Sequence, residues 1–218
     1  MSNETSIEPE QDSAERFPRR SARRARTRAR ILEAASAEFK KAGYAEATMN
    51  AIADAADIHV TTLFTHFKTK RDLAAALSDQ EIQQFRELVD AAKGKVPFFE
   101  FFRSLVLSTA ATRQKDGDPK TGQMHEVQRD PELALSWLRY EENEVRLVAE
   151  YIAYDYGLDA HRDYAPYLAG QVLIGSGVSS YTRWVRTKGL DLVKETEVAL
   201  DLAEKMARSI LPPAPVKH

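Results

Sequence analysis

Between Thr48 and Phe67 the chain carries two short helix-forming segments joined across a single break, and few folds accept that arrangement. Thr48 is a natural N-cap for a first helix over about 49–56. A break follows near Asp57-Ile58, and a second short helix is expected over about 59–66. Two helices that cross steeply and closely need a small side chain at the contact, and Ala53 supplies one. Asp57 occupies the turn, where a left-handed backbone is wanted and Asp tolerates it. Ile52, Ala56, Ile58, Leu63 and Phe67 form the apolar side that clamps the pair. His59, Val60, Thr61, Thr62 and Thr65 are left facing outward on the second helix. That surface is small, hydrogen-bonding and methyl-bearing, which suits a DNA major groove.

The rest of the chain also reads as helix. With nine Gly and nine Pro in 218 residues, it favours long helices. Ile31, Ala34, Ala35, Phe39 and Ala42 recur at helical spacing from about Ser21 onward, and Gly43 ends that segment. Thr69 caps a helix over about 70–92 that stops at Gly94 and Pro97. An aromatic-rich helix follows over about 97–114, then the loop signal Asp116-Gly117-Asp118-Pro119. A short helix is expected near 123–129. Asp130-Pro131 begins another that runs to Tyr156, with Gly157 as its stop. Two more are expected over about 161–187 and 190–210. No strand emerges. The expectation is an all-α protein of about nine helices: an N-terminal three-helix helix-turn-helix domain, then a C-terminal helical ligand-binding and dimerisation domain. The expected divisions are a disordered arm over 1–20, a DNA-binding domain over 21–68 and the C-terminal domain over 69–211.

A formal net charge of -2 conceals an uneven distribution. Residues 1–15 hold five acids and no base, whereas residues 16–30 hold eight arginines and no acid. Such a block usually meets a polyanion. The absence of cysteine excludes disulfides, thiolate chemistry and cysteine-ligated zinc. It suits a cytoplasmic protein. No apolar run approaches the roughly 18–20 residues of a membrane span. Catalytic patterns fail on inspection. His125-Glu126 starts a metalloprotease-like sequence, but Arg129 stands where the second His belongs. Gly175-Ser176-Gly177-Val178-Ser179 has Gly in the nucleophile position, and its small residues read better as a close helix contact. No catalytic residue, metal ligand or cofactor is expected.

The stretch from Thr48 to Leu73 resembles the DNA-binding domain of the tetracycline-repressor (TetR/AcrR) family, from its Thr cap and Ile-Ala pair to Leu63-Phe64-x-x-Phe67-x-x-Lys70 and Asp72-Leu73. The likeness covers about residues 25–75. It implies that Thr48 contacts phosphate, that Thr61 and Thr62 read bases or backbone beside His59 and Thr65, and that His66 and Lys70 reach the backbone. It also implies that Arg23, Arg24, Arg26 and Arg28 act as an arm in the adjacent minor groove. Two residues depart from the pattern. Phe64 stands in place of the usual Tyr, and Val60 stands where Lys or Arg is frequent.

The resemblance further implies a mostly apolar effector pocket in the C-terminal helices, with Phe102, Leu105, Met124, Trp137, Tyr140, Glu141 and Gln171 as candidate lining. An aromatic or acyl effector would suit it. A homodimer is expected through the last two helices, by way of Leu168, Val172, Gly175, Val178 and Ser179 on one and Leu192, Val193, Thr196, Ala199, Leu200 and Ala203 on the other. The partners are then double-stranded DNA, a small apolar effector and a second copy of the chain, with no membrane. The functional expectation is a ligand-responsive repressor on a pseudo-palindromic operator. The alternative is a helical sensor or interaction protein that does not read DNA sequence, and Val60 and Phe64 leave it open.

Overall fold

The computed structural model describes residues 11–117 and 131–213. Every element in it is a helix: α1 (Gln11–Ala42), α2 (Met49–Ala55), α3 (Val60–His66), α4 (Lys70–Ala92), α5 (Phe98–Asp116), α6 (Pro131–Tyr156), α7 (Tyr164–Arg186) and α8 (Leu192–Ile210). The short helix expected near 123–129 lies outside the described residues, which leaves eight. The chain divides into two compact units, Met1–Ala74 and Ala75–His218.

In the N-terminal unit, Ile31, Ala35, Ile52, Ala53, Leu63 and Leu73 are almost completely buried. Gly43 ends α1 with a left-handed backbone, φ 83°, as expected. Asp57 is the one non-glycine residue with positive φ among the described residues, at 51°. The Arg30 guanidinium locks this turn by donating to the carbonyls of Ala56 at 2.5 Å and Asp57 at 3.2 Å. The start of α1 differs from expectation. The helix begins at Gln11 rather than near Ser21, so residues 11–20 are helical and not an irregular arm. Ala14, Glu15, Arg16, Arg19 and Arg20 are strong helix formers, and they extend α1 towards the N-terminus. Residues 1–10 of the expected arm lie outside the described residues.

The C-terminal unit packs α4 to α8 around Phe98, Val89, Leu147, Tyr151, Ile152, Leu173 and Leu200. The α4–α5 elbow is pinned to α6 at two points. The Tyr151 hydroxyl donates to Val96 O at 2.6 Å, and Asp155 Oδ2 accepts from Phe98 N at 2.7 Å. Gly170 permits the close crossing of α6 and α7, since a Cβ there would stand 3.1 Å from Val145 O. Gly175 and Gly177 support no such crossing within the chain's described residues. A Cβ at Gly175 or Gly177 would meet nothing within 4 Å. Helix α7 starts at Tyr164, three residues later than expected. Asp159 Oδ1 accepts from His161 N at 2.8 Å and Arg162 N at 3.2 Å, and Asp163 Oδ2 accepts from Asp159 N, so these side chains hold a turn instead.

The α8 residues expected at a dimer interface mostly belong to the core. Leu192, Thr196, Leu200 and Ala203 are all at most 4% exposed. The side of α8 without a partner carries Val198, Leu202, Met206 and Ile210, between 43% and 62% exposed. A helical stripe repeats on both faces of an apolar helix, and spacing alone does not say which face turns inward.

Candidate nucleic-acid interface and effector cavity

Helix α3 presents the surface that the sequence leads one to expect. Leu63 and Phe67 are buried against the unit, while His59, Thr61, Phe64 and Thr65 are exposed and Val60, Thr62 and His66 are partly so. Thr65 Oγ1 donates to Thr62 O at 2.7 Å, so its proton is committed to its own helix. Neither Thr61 nor Thr62 has a hydroxyl partner among the described residues. Thr48 is confirmed as the cap of α2, accepting from Ala51 N at 3.1 Å.

The arginines of α1 lie close to this surface. Arg23, Arg24, Arg26 and Arg28 are exposed. The Arg28 guanidinium also sits 4.7 Å from the centre of the Phe67 ring. The imidazole of His66 is held below its ordinary pKa, first by desolvation and then by the charges of Arg24 and Arg28. Positive charge therefore stands beside α3 even though α3 itself has no Lys or Arg.

Lys70 has a role that differs from the one expected. Its ammonium donates to the carbonyls of Tyr44 at 2.5 Å, Ala45 at 2.9 Å and Ala47 at 3.0 Å, and it lies 4.6 Å from the Tyr44 ring centre. An ammonium has three protons, and all three are engaged. Lys70 closes the α1–α2 loop rather than offering a free cation to phosphate. It sits where it does because Thr69 and Asp72 cap α4 reciprocally. Asp72 Oδ2 accepts from Lys68 N and Thr69 N, and Thr69 Oγ1 accepts from Asp72 N at 3.1 Å.

The C-terminal unit contains a cavity of about 230 Å³ among α4 to α8. Four of the seven expected residues line it: Phe102, Leu105, Trp137 and Tyr140. Met124 lies outside the described residues, as do His125 to Arg129. Glu141 and Gln171 do not line the cavity. Glu141 follows Tyr140 and so turns about 100° away from it around the helix. Gln171 is exposed before the cavity stretch of α7 and donates to the Tyr167 hydroxyl at 3.3 Å.

The acid that does line the cavity is Glu144, one turn beyond Tyr140. The Tyr140 hydroxyl donates to Glu144 Oε1 at 3.0 Å. Desolvation pushes the Glu144 carboxyl up to about 7, against the hydrogen bond from Tyr140 and the charge of Arg113. Sequence reasoning also missed Arg113, Thr109 and Thr196. The i, i+3, i+7 series Trp137, Tyr140, Glu144 was a usable signal, since those positions share one helix face. Helix α8 adds Thr196, whose hydroxyl donates to Ser180 Oγ at 3.1 Å.

Among the described residues, no helix is long and apolar enough to cross a membrane, and no group of three or more His, Cys, Asp or Glu is placed to hold a metal ion.

Two family models match the chain. Residues 31–77 match the bacterial regulatory proteins of the tetR family, and residues 96–207 match the MftR C-terminal domain. A Mycobacterium tuberculosis protein assigned as the mycofactocin biosynthesis transcriptional regulator MftR is 21% identical over 180 residues, covering 83% of this chain and 90% of that protein. The HTH-type transcriptional regulator TcmR of Streptomyces glaucescens is 26% identical over 173 residues, covering 77% of this chain and 76% of its own. The crystal structure of the transcriptional regulator FadR from Bacillus subtilis, in complex with stearoyl-CoA, superposes with a TM-score of 0.60. It shares 22% identity and covers 80% of this chain and 96% of its own. That last likeness is one of fold.

Proposed function

The chain belongs to the tetR family of bacterial regulatory proteins, and on that premise we propose that it is a homodimeric repressor. It binds a pseudo-palindromic operator and leaves it when a small apolar molecule enters the C-terminal cavity. DNA binding is assigned to residues 21–68, together with the arginine run of α1 that begins just before them, and effector binding and dimerisation to residues 69–211. The observation that carries this reading is the pairing of an exposed, lysine- and arginine-free α3 with exposed arginines on α1. Thr61, Thr62 and His59 supply hydrogen bonds in the major groove, while Val60 and Phe64 supply contacts to thymine methyl groups. Arg23, Arg24, Arg26 and Arg28 supply the charge that holds phosphate or enters the minor groove. Thr48, Thr65 and His66 complete the set.

The dimer reading rests on the stripe Val198, Leu202, Met206 and Ile210, together with exposed Tyr164 and Leu168 on α7. Two helices from each copy would bury these side chains in a four-helix bundle. The effector acts by its different affinity for the DNA-competent and incompetent states.

DNase footprinting on the DNA flanking the chain's own gene tests the proposal. The expected result is a protected inverted repeat. Protection spread evenly over every fragment would point instead to a sensor or interaction protein that does not read sequence.

A further inference from the structure

Within the reading of the cavity as the effector site, we propose that it receives a compact apolar cation, an amine in its ammonium form, with Glu144 as its counter-ion. Glu144 stands in a wall of large apolar groups: Phe85, Phe102, Leu105, Trp137 and Tyr181. Its one hydrogen-bond partner among the described residues is the Tyr140 hydroxyl, on Oε1. Among the described residues, Oε2 has no donor and no Lys or Arg forms an ion pair with the carboxylate. A carboxylate in such surroundings is stable only when paired.

The charged groups around Glu144 favour a cation over an anion. Among the described residues, Glu81 of α4 and Glu141 of α6 raise the carboxyl's pKa and Arg113 of α5 lowers it. Helices α7 and α8 contribute Ser180, Tyr181 and Thr196 and no charge to the cavity. Arg113 already lies over the Tyr181 ring, 5.3 Å from its centre, so a ring face of this wall holds a cation. The Trp137 and Tyr140 rings, packed 5.6 Å apart, line the same cavity and are aromatic surface of the kind that attracts a cation. An anionic head group would meet Glu144 with only Arg113 to offset it. The cavity among the described walls measures about 230 Å³, just below the roughly 300–1,000 Å³ of drug-sized sites.

Calorimetric titration of the full chain with phenylpropylamine, phenylpropanol and phenylpropanoate isolates the charge, because the three share one shape. The amine is expected to bind at least about tenfold more tightly than the alcohol, and the carboxylate more weakly than either. The carboxyl must release its proton to pair with the ammonium. Amine affinity should therefore rise about tenfold between roughly pH 6 and pH 8, while alcohol affinity stays level. Glu144→Gln should remove both the preference and the pH slope. Should that variant fail to fold, the slope of the unaltered chain still decides. An amine that binds no better than the alcohol, or a tighter carboxylate, overturns the proposal. Footprinting separates the two readings. Sequence-specific protection without amine binding refutes the cation alone, whereas uniform protection refutes the repressor.

Discussion

The reading surface and the effector cavity use polar side chains in opposite ways. In the N-terminal unit, polar groups are tied to nearby backbone: Thr48 to α2, Asp72 and Thr69 to the start of α4, Arg30 to the α2–α3 turn, and Lys70 to three carbonyls. Each bond fixes an angle or a loop, and together they hold α3 outward. In the C-terminal unit, Glu144 stands with Tyr140 in an apolar wall and fixes no backbone. The difference separates a rigid reading surface from a chamber whose polar groups are available to a ligand.

The largest effect that would break this contrast concerns Lys70. Lys70→Ala should destabilise the N-terminal unit by about 2–3 kcal/mol, since charge-assisted bonds to partly buried carbonyls are lost. Chemical denaturation followed by circular dichroism measures this. Unchanged stability with weakened DNA binding would return Lys70 to a phosphate role.

A smaller effect sharpens the other half of the contrast. The Glu144 carboxyl is raised from 4.5 in the unfolded chain to about 7 in the fold. Its protonated form is therefore favoured by folding. The associated stability is fully present below about pH 4.5 and is lost as pH rises through about 7. Between those limits the full shift corresponds to about 3 kcal/mol, which the partial exposure of Glu144 reduces. Melting temperatures of Glu144→Gln should lack this component, and identical pH profiles for the two proteins would show that Glu144 is well solvated.

How much of the molecule was legible beforehand follows the same division. The α2–α3 pair depends on contacts a few residues apart, and Thr48, Ala53, Asp57 and Thr69 announce their roles by type and position. The roles of Lys70 and Arg30 do not announce themselves, because each reaches carbonyls more than twenty residues away in sequence. Cavity lining depends on which face of each long helix turns inward. Trp137 and Tyr140 are bulky enough to suggest it, but a choice between Glu141 and Glu144 requires the helix phase. The same ambiguity placed Leu192, Leu200 and Ala203 at an interface when they are core, and left Val198, Leu202 and Met206 unnoticed.

The smallest predicted effect lies at the edge of the reading surface. The His66 imidazole is held below its ordinary pKa by desolvation and by Arg24 and Arg28. A phosphate placed beside it would favour the imidazolium, so DNA binding takes up a proton and tightens as pH falls. The change should be a few-fold, and His66→Gln should flatten it. A pH-independent affinity in the unaltered protein would place His66 away from the backbone.

The central claim, that α3 reads base sequence, is tested most directly by fluorescence anisotropy. A labelled duplex from the DNA flanking the gene is titrated with the full chain and with Thr62→Ala, in the presence of excess scrambled duplex. The account predicts saturable binding that the scrambled duplex does not displace, weakened by about 1–3 kcal/mol in the variant. Equal displacement by scrambled DNA, with the variant indistinguishable from the unaltered chain, would contradict it.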